Sequence, residues 1–193
     1  MENKESQTIF DKNVIEFVTV AAETCAFLER AGEMNRTDFV DKSLKLLPLL
    51  YLKTSLLPEC MPINDGMLET FVTEDSYEAL RNTIAQVMGE KDDYLEVFVP
   101  DMVYSDQPIK KNISEDLADI YQDLRDFIFV FQLGLNETMN DALATCQENF
   151  KDFWGQKLVN TLRALHDAKY NSQDEDSDTD EEESYNEEDT TQW

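Results

Sequence analysis

Glycine and proline are scarce in this chain, five of each among 193 residues. With so few turn formers and almost no β-branched alternation, the composition disfavours a strand-rich fold and points to helices throughout. Histidine occurs once, at His166. A serine-triad or papain-like centre needs a histidine with a nucleophile and an orienting group, and no residues around His166 mark such partners. The three cysteines, Cys25, Cys60 and Cys146, are widely spaced with no C-x-x-C pair. They read as small buried hydrophobes rather than a disulfide framework or metal site. No apolar run approaches the ~18 residues of a membrane span, and MENKESQTIF lacks the basic and apolar regions of a secretory signal. The expectation is therefore a cytoplasmic protein.

Positive charge is also short, with 16 Lys and Arg against 42 Asp and Glu and a formal net charge of −26. Eleven of those acids lie in residues 173–193, which contain no Lys, Arg or His; the other 31 face all 16 bases in residues 1–172. Such a surface repels phosphate backbones and anionic lipid alike, which excludes direct nucleic-acid or membrane binding and favours a basic protein partner. The acidic end has only Tyr185 and Trp193 as large apolar side chains. It cannot bury enough surface to offset its ordering entropy, so residues 173–193 are expected to be a disordered acidic tail. Residues 1–172 suit a single helical domain.

Helical periodicity runs through that domain. Phe10, Val14, Phe17, Ala21, Cys25 and Leu28 predict a helix from about Thr8 to Ala31, with Gly32 at its C-terminal cap. A second helix is expected from Thr37 or Asp38 to Pro58, kinked at Pro48, with Tyr51 and Leu57 on its inner face. Pro58 to Val72 has loop composition, and Thr73 opens a third helix that Gly89 ends. Residues 93–106 are ambiguous, and a packed irregular connection is favoured over a strand. Ser114, followed by Glu115 and Asp116, starts a fourth helix to about Leu133, apolar nearly all round and therefore central. A fifth runs from Asn136 or Glu137 to about Ala168 and aligns Met139, Leu143, Cys146, Phe150, Phe153, Leu158, Leu162 and Leu165. No fixed-period repeat is present, so the fold class is an all-α up-and-down bundle of about five helices rather than a solenoid.

Two groupings could carry chemistry. Asp116, Asp119, Asp123 and Asp126 recur at spacings of three, four and three, which sets four carboxylates along one helical stripe. The simplest reading is a solvated acidic face. The alternative is a metal site of Asp116, Asp119, Asp123 and Glu96, for which Mg²⁺ or Mn²⁺ is the fitting cation; the Glu-x-x-His signature of di-iron bundles is missing. Otherwise no cofactor is called for. The second grouping is aromatic: Trp154 beside Gly155 reads as a tight helix crossing, or else as the wall of a pocket formed with Tyr94, Phe98, Tyr121 and His166.

The run D-Y-L-E-V-F-V-P, the opening S-E-D-L-A-D-I-Y-Q-D-L and the late W-G-Q-K-L-V-N-T-L-R-A-L-H together resemble the bacterial family known as domain of unknown function 5063, across most of residues 8–167. L-P-L-L-Y and Leu57-Pro58 are similar too. The resemblance implies a compact helical domain without an established activity, and genes that can lie near one for a ribonuclease-D-like exonuclease. The family pattern often carries histidines around the Trp-Gly pair; this chain has Phe153 and Lys157 there, which puts a histidine-dependent site in doubt. Tyr94, Glu96, Phe98, Pro100, Asp116, Asp119, Tyr121, Asp123, Trp154, Gly155 and His166 are shared positions. The functional expectation is a non-enzymatic adaptor that binds a basic surface through its acidic body and tail, one candidate partner being a nucleic-acid-processing enzyme. Its alternative is a divalent-metal-binding or metal-dependent hydrolytic bundle using the Asp stripe.

Overall fold

Residues 8–96 and 109–171 are described by the computed structural model; Phe98 and Pro100, most of the ambiguous 93–106 stretch and the acidic tail lie outside them. The first helix, α1 (Lys12–Glu29), starts at an Asp11 cap whose carboxylate accepts from the Asn13 amide at 2.8 Å. A separate turn at Thr8 precedes it, closed by the Asp11 amide donating to the Thr8 carbonyl at 3.0 Å. That turn shifts the register, so Ile9 is buried and Phe10, expected inward, is 58 % exposed. Gly32 falls in a 3₁₀ turn, Ala31–Glu33, past the helix end.

The second helix, α2 (Arg36–Ser55), is capped earlier than expected. Asn35, not Thr37 or Asp38, accepts from the Asp38 amide at 2.8 Å. Pro48 lies within this helix and, lacking an N–H, leaves the Leu44 carbonyl without its helical donor. Tyr51 is exposed rather than inward. Helix α3 (Glu74–Met88) begins with a reciprocal Thr73–Ser76 capping box and ends at Gly89, whose φ of 57° suits a residue without a Cβ.

The connection after α3 contains a strand where an irregular segment was expected. β1 (Asp93–Leu95) pairs antiparallel with β2 (Lys110–Asn112), Asp93 opposite Asn112 and Leu95 opposite Lys110. Three residues are too few for their alternation to be legible, and the equally short partner strand follows later in the same connection. This ribbon leads directly into α4 (Ile113–Phe131). Ser114 does not cap α4 by itself. Asp92, 22 residues upstream, accepts from the Ser114 amide at 2.8 Å and its hydroxyl at 2.7 Å.

Helix α4 is central: it packs against α1, α3, α5 (Asn136–Asn149) and α6 (Gly155–Tyr170), while α2 closes the far side against α1 and α6. One contiguous core results, with Phe17, Phe39, Leu117, Ile120, Leu124, Leu143 and Trp154 among its fully buried members. Cys25 and Cys146 are buried in it and unpaired. The all-α up-and-down bundle is the architecture of the described residues. Among those residues, no helix is long and apolar enough to cross a membrane.

α5 and α6 are the two halves of the expected fifth helix, separated by a π-turn at Phe150–Trp154. One extra residue in a turn rotates the downstream helix by about 100°. Phe153 is therefore 46 % exposed and Trp154 is fully buried in its stead, edge-on to Phe150 at a ring separation of 4.7 Å. Gly155 serves this turn rather than a helix crossing. A Cβ there would lie 2.3 Å from the Phe150 carbonyl oxygen and 2.9 Å from its ring.

Gly155→Ala must therefore deform the turn and is expected to lower unfolding free energy in urea by roughly 1–3 kcal/mol. A Gly155→Ala protein as stable as the parent would show that the turn relaxes without penalty.

Candidate functional site

The four carboxylates of the Asp stripe do not form a solvated face. Asp116 is 2 % exposed and accepts hydrogen bonds from the Tyr94 hydroxyl and, at 3.3 Å, from Thr161. Asp119 accepts from the Tyr77 hydroxyl at 2.8 Å. The Lys157 ammonium lies between the two, 3.5 Å from Asp116 and in direct contact with Asp119. Burial raises the Asp116 carboxyl above its ordinary range, against the pull of Tyr94 and Lys157. Burial would depress Lys157, but its hydrogen bond to Asp119 and the two carboxylate charges outweigh that and raise it. The lysine thus acts as an internal counter-ion, bridging α4 to α6.

Glu96 joins the edge of this cluster through Asn160, whose amide donates to it at 3.3 Å, and Arg163 donates to the Leu95 carbonyl at 2.8 Å. Tyr94, Asp116 and Asp119 do meet here, linked by the Tyr94 hydroxyl and the Lys157 ammonium, with Glu96 bonded beside them to Asn160 of α6. Among the described residues, no group of three or more His, Cys, Asp or Glu side chains is arranged to hold a metal ion. Tyr121 instead donates to Glu29 of α1 at 2.9 Å, and Trp154 is in the core. His166 is exposed, its ring 4.7 Å from that of Tyr170, in a shallow depression with Leu44, Pro48 and Leu162. These aromatic groups do not converge on one pocket, and Phe98 is outside the described residues.

The other two aspartates build something different. The segment from Leu56 to Thr73 has no regular structure and would be costly to leave loose. It is tied at one end by buried polar groups of α5 and at the other by the half-buried Asp126 of α4. At one end Gln147 accepts from the Cys60 amide at 3.2 Å and donates to the Pro58 carbonyl at 2.7 Å, and Asn140 donates to the Met61 carbonyl at 2.7 Å. Asp141 there accepts from the Ile63 amide at 2.6 Å and from both nitrogens of Asn64. At the other end Asp126 accepts from the Phe71 and Val72 amides at 2.6 and 2.8 Å. Between the ties, Gly66–Thr70 arches over a cleft of about 370 Å³.

The cleft floor comes from two matching helical faces. α4 contributes Asp123, Asp126, Phe127 and Val130, and α5 contributes Ala142, Thr145, Cys146 and Asn149, each set at steps of three, one and three. Asp123 forms one polar wall, accepting from the Asn149 amide nitrogen at 2.5 Å. Burial, with Asp126 and Asp119 on the same helix, raises its carboxyl to about 6 despite the Asn149 bond. No Lys or Arg pairs with it among the described residues. Burial likewise raises the Cys146 thiol well above its ordinary range, so it is not a thiolate nucleophile.

Sequence reasoning missed this strap and its anchors. Asn140 and Gln147 are seven apart on α5, but only their burial, which the fold reveals, requires their amides to bond outside the helix.

Comparison with known proteins agrees with this architecture. The family described as domain of unknown function DUF5063 matches residues 8–171. The chain belongs to the DUF5063 family. The crystal structure of protein BF1032 from Bacteroides fragilis, a structural genomics target, is 69 % identical in sequence and superimposes with a TM-score of 0.77. The match covers 84 % of this DUF5063 chain and 96 % of that one. None of the curated proteins matches.

Lys157→Met leaves Asp116 a buried charge without its cation, and should cost about 3 kcal/mol in chemical denaturation. Adding Asp116→Asn should recover part of that loss. For Asp123, a carboxyl raised to about 6 holds a proton in the folded chain between about pH 4 and 6 that the unfolded chain has released. Its contribution therefore opposes folding as pH rises through that window. Asp123→Asn should raise stability by ~1–2 kcal/mol at pH 7, and the difference should vanish towards pH 4. A constant difference across pH would contradict the assignment.

Proposed function

We propose that this DUF5063 chain is a non-enzymatic, cytoplasmic binding module that docks a protein with a basic surface, a nucleic-acid-processing enzyme being one candidate. The observation behind the proposal is the strap. From Thr54 to Leu80 there is no Lys, Arg or His, and Glu59, Asp65, Glu69, Glu74 and Asp75 are all exposed. Met61, Met67 and Phe71 are exposed among them, and unbranched methionines adapt to varied partner surfaces. The bases elsewhere do not balance the body, because pairs of lysines share single acids: Lys45 and Lys169 on Asp41, Lys12 and Lys53 on Glu16. A field of one sign speeds encounter with a partner of the other. The acidic sequence of residues 173–193 adds to that field.

The alternative, a divalent-metal or metal-dependent hydrolytic function on the stripe, has less behind it. An ammonium already bridges Asp116 and Asp119, Asp123 is engaged by Asn149, and Glu96 by Asn160.

Affinity capture from host lysate should retain a basic protein on the full chain at about 0.05 M salt and lose it at about 0.5 M, where the Debye length falls to a few ångströms. Glu69→Lys with Asp75→Lys should weaken that capture, as should ending the chain at Ser172. Capture unchanged by salt and by both alterations would refute the electrostatic module.

A further inference from the structure

We infer that the cleft beneath Gly66–Thr70 is a binding site for an alkylammonium group, an amine carried on a short apolar chain. The cleft holds about 370 Å³, within the range of small-molecule sites, and its lining combines apolar and acidic side chains. Phe127, Val130 and Ala142 give it an apolar floor. Asp123 gives it a carboxylate that has an amide donor on one side and no cation among the described residues.

That arrangement differs from the treatment of the neighbouring aspartates. Asp116 and Asp119 share Lys157, and Asp126 is capped by two backbone amides from the strap. Asp123 and Asp126 both line the cavity, but Asp126 has two backbone donors and Asp123 a single side-chain donor. A carboxylate withdrawn from water is stabilised by an opposite charge that enters with its own donors. A neutral ligand leaves the charge uncompensated, and an anionic one is repelled by Asp123, Asp126 and Glu69 on the cleft wall. An ammonium reaches Asp123 while its methylenes lie over Phe127 and Val130, replacing water on the apolar floor. A lysine side chain on a protein partner and a free aliphatic amine present the same chemistry. The inference does not depend on the docking module proposed above, since the cleft takes an ammonium whether or not a protein carries it.

The test is a titration of the full chain at pH 7.5, followed by amide chemical shifts in ¹H–¹⁵N spectra. The probes are hexylammonium, hexanol, hexanoate and Nα-acetyl-lysine amide. Saturable shifts are expected for the two cationic probes, centred on Leu68, Phe127 and Asn149, with the neutral and anionic probes weaker by about tenfold or more. Asp123→Asn, which keeps an acceptor for Asn149, should abolish the preference for the cation. Thr145→Phe, at an exposed position on the rim, should block all probes without disturbing the core. Tighter binding of the acetyl-lysine amide would assign the site to a partner's lysine, and tighter binding of hexylammonium to a free amine. Equal binding of hexanol and hexylammonium, a preference unchanged in Asp123→Asn, or no saturable shift would overturn the inference.

Discussion

The most buried helix of this protein is also one of its most acidic, and the cost of withdrawing carboxylates from water organises what surrounds it. α4 presents Asp116, Asp119, Asp123 and Asp126 towards neighbouring elements. An isolated buried charge is not tolerated, so each must find donors or a cation, or take up a proton. Those needs fix the position of α6 through Lys157, of the β1–β2 ribbon through Tyr94, of α3 through Tyr77 and of the strap through the Phe71 and Val72 amides. The apolar core supplies most of the free energy without direction. The aspartates supply direction.

The same constraint explains why acidic residues play two separate roles. Inside, Asp116, Asp119 and Asp126 are matched with specific donors or with Lys157, which makes them structural. Outside, on the strap and at the start of α3, they lie in a stretch of chain without Lys, Arg or His and generate a field felt beyond contact distance. Asp123 stands between these conditions, within the fold yet facing a cleft, and its raised carboxyl reflects that intermediate position.

Much of the fold was legible in the chain. Apolar steps of three and four placed five helical stretches, Thr73 and Gly89 bounded one of them, and the all-round apolar character of Phe127 to Phe131 marked α4 as central. Where the reading failed, the cause is local. Phe10 and Ile9 exchanged places because an extra turn precedes α1, and Phe153 and Trp154 did so because of the π-turn. The buried positions Trp154 and Leu158 keep an ordinary step of four, so spacing alone did not mark that turn. The candidate site was less legible. Its anchors, Asn140, Asp141, Gln147 and Asp126, bond to backbone some 55 to 90 residues away, and no local pattern encodes such pairing.

Composition and periodicity by themselves determined the helical class, the burial of Cys25 and Cys146 and the sign of the charge, because each depends on residue type and on spacing within one element. Only the tertiary structure decided which carboxylates are neutralised within the fold and which face outward or into a cleft. A carboxylate's state depends on the distance to its nearest cation or donor and on its access to water, and both are set by packing between elements remote in the chain.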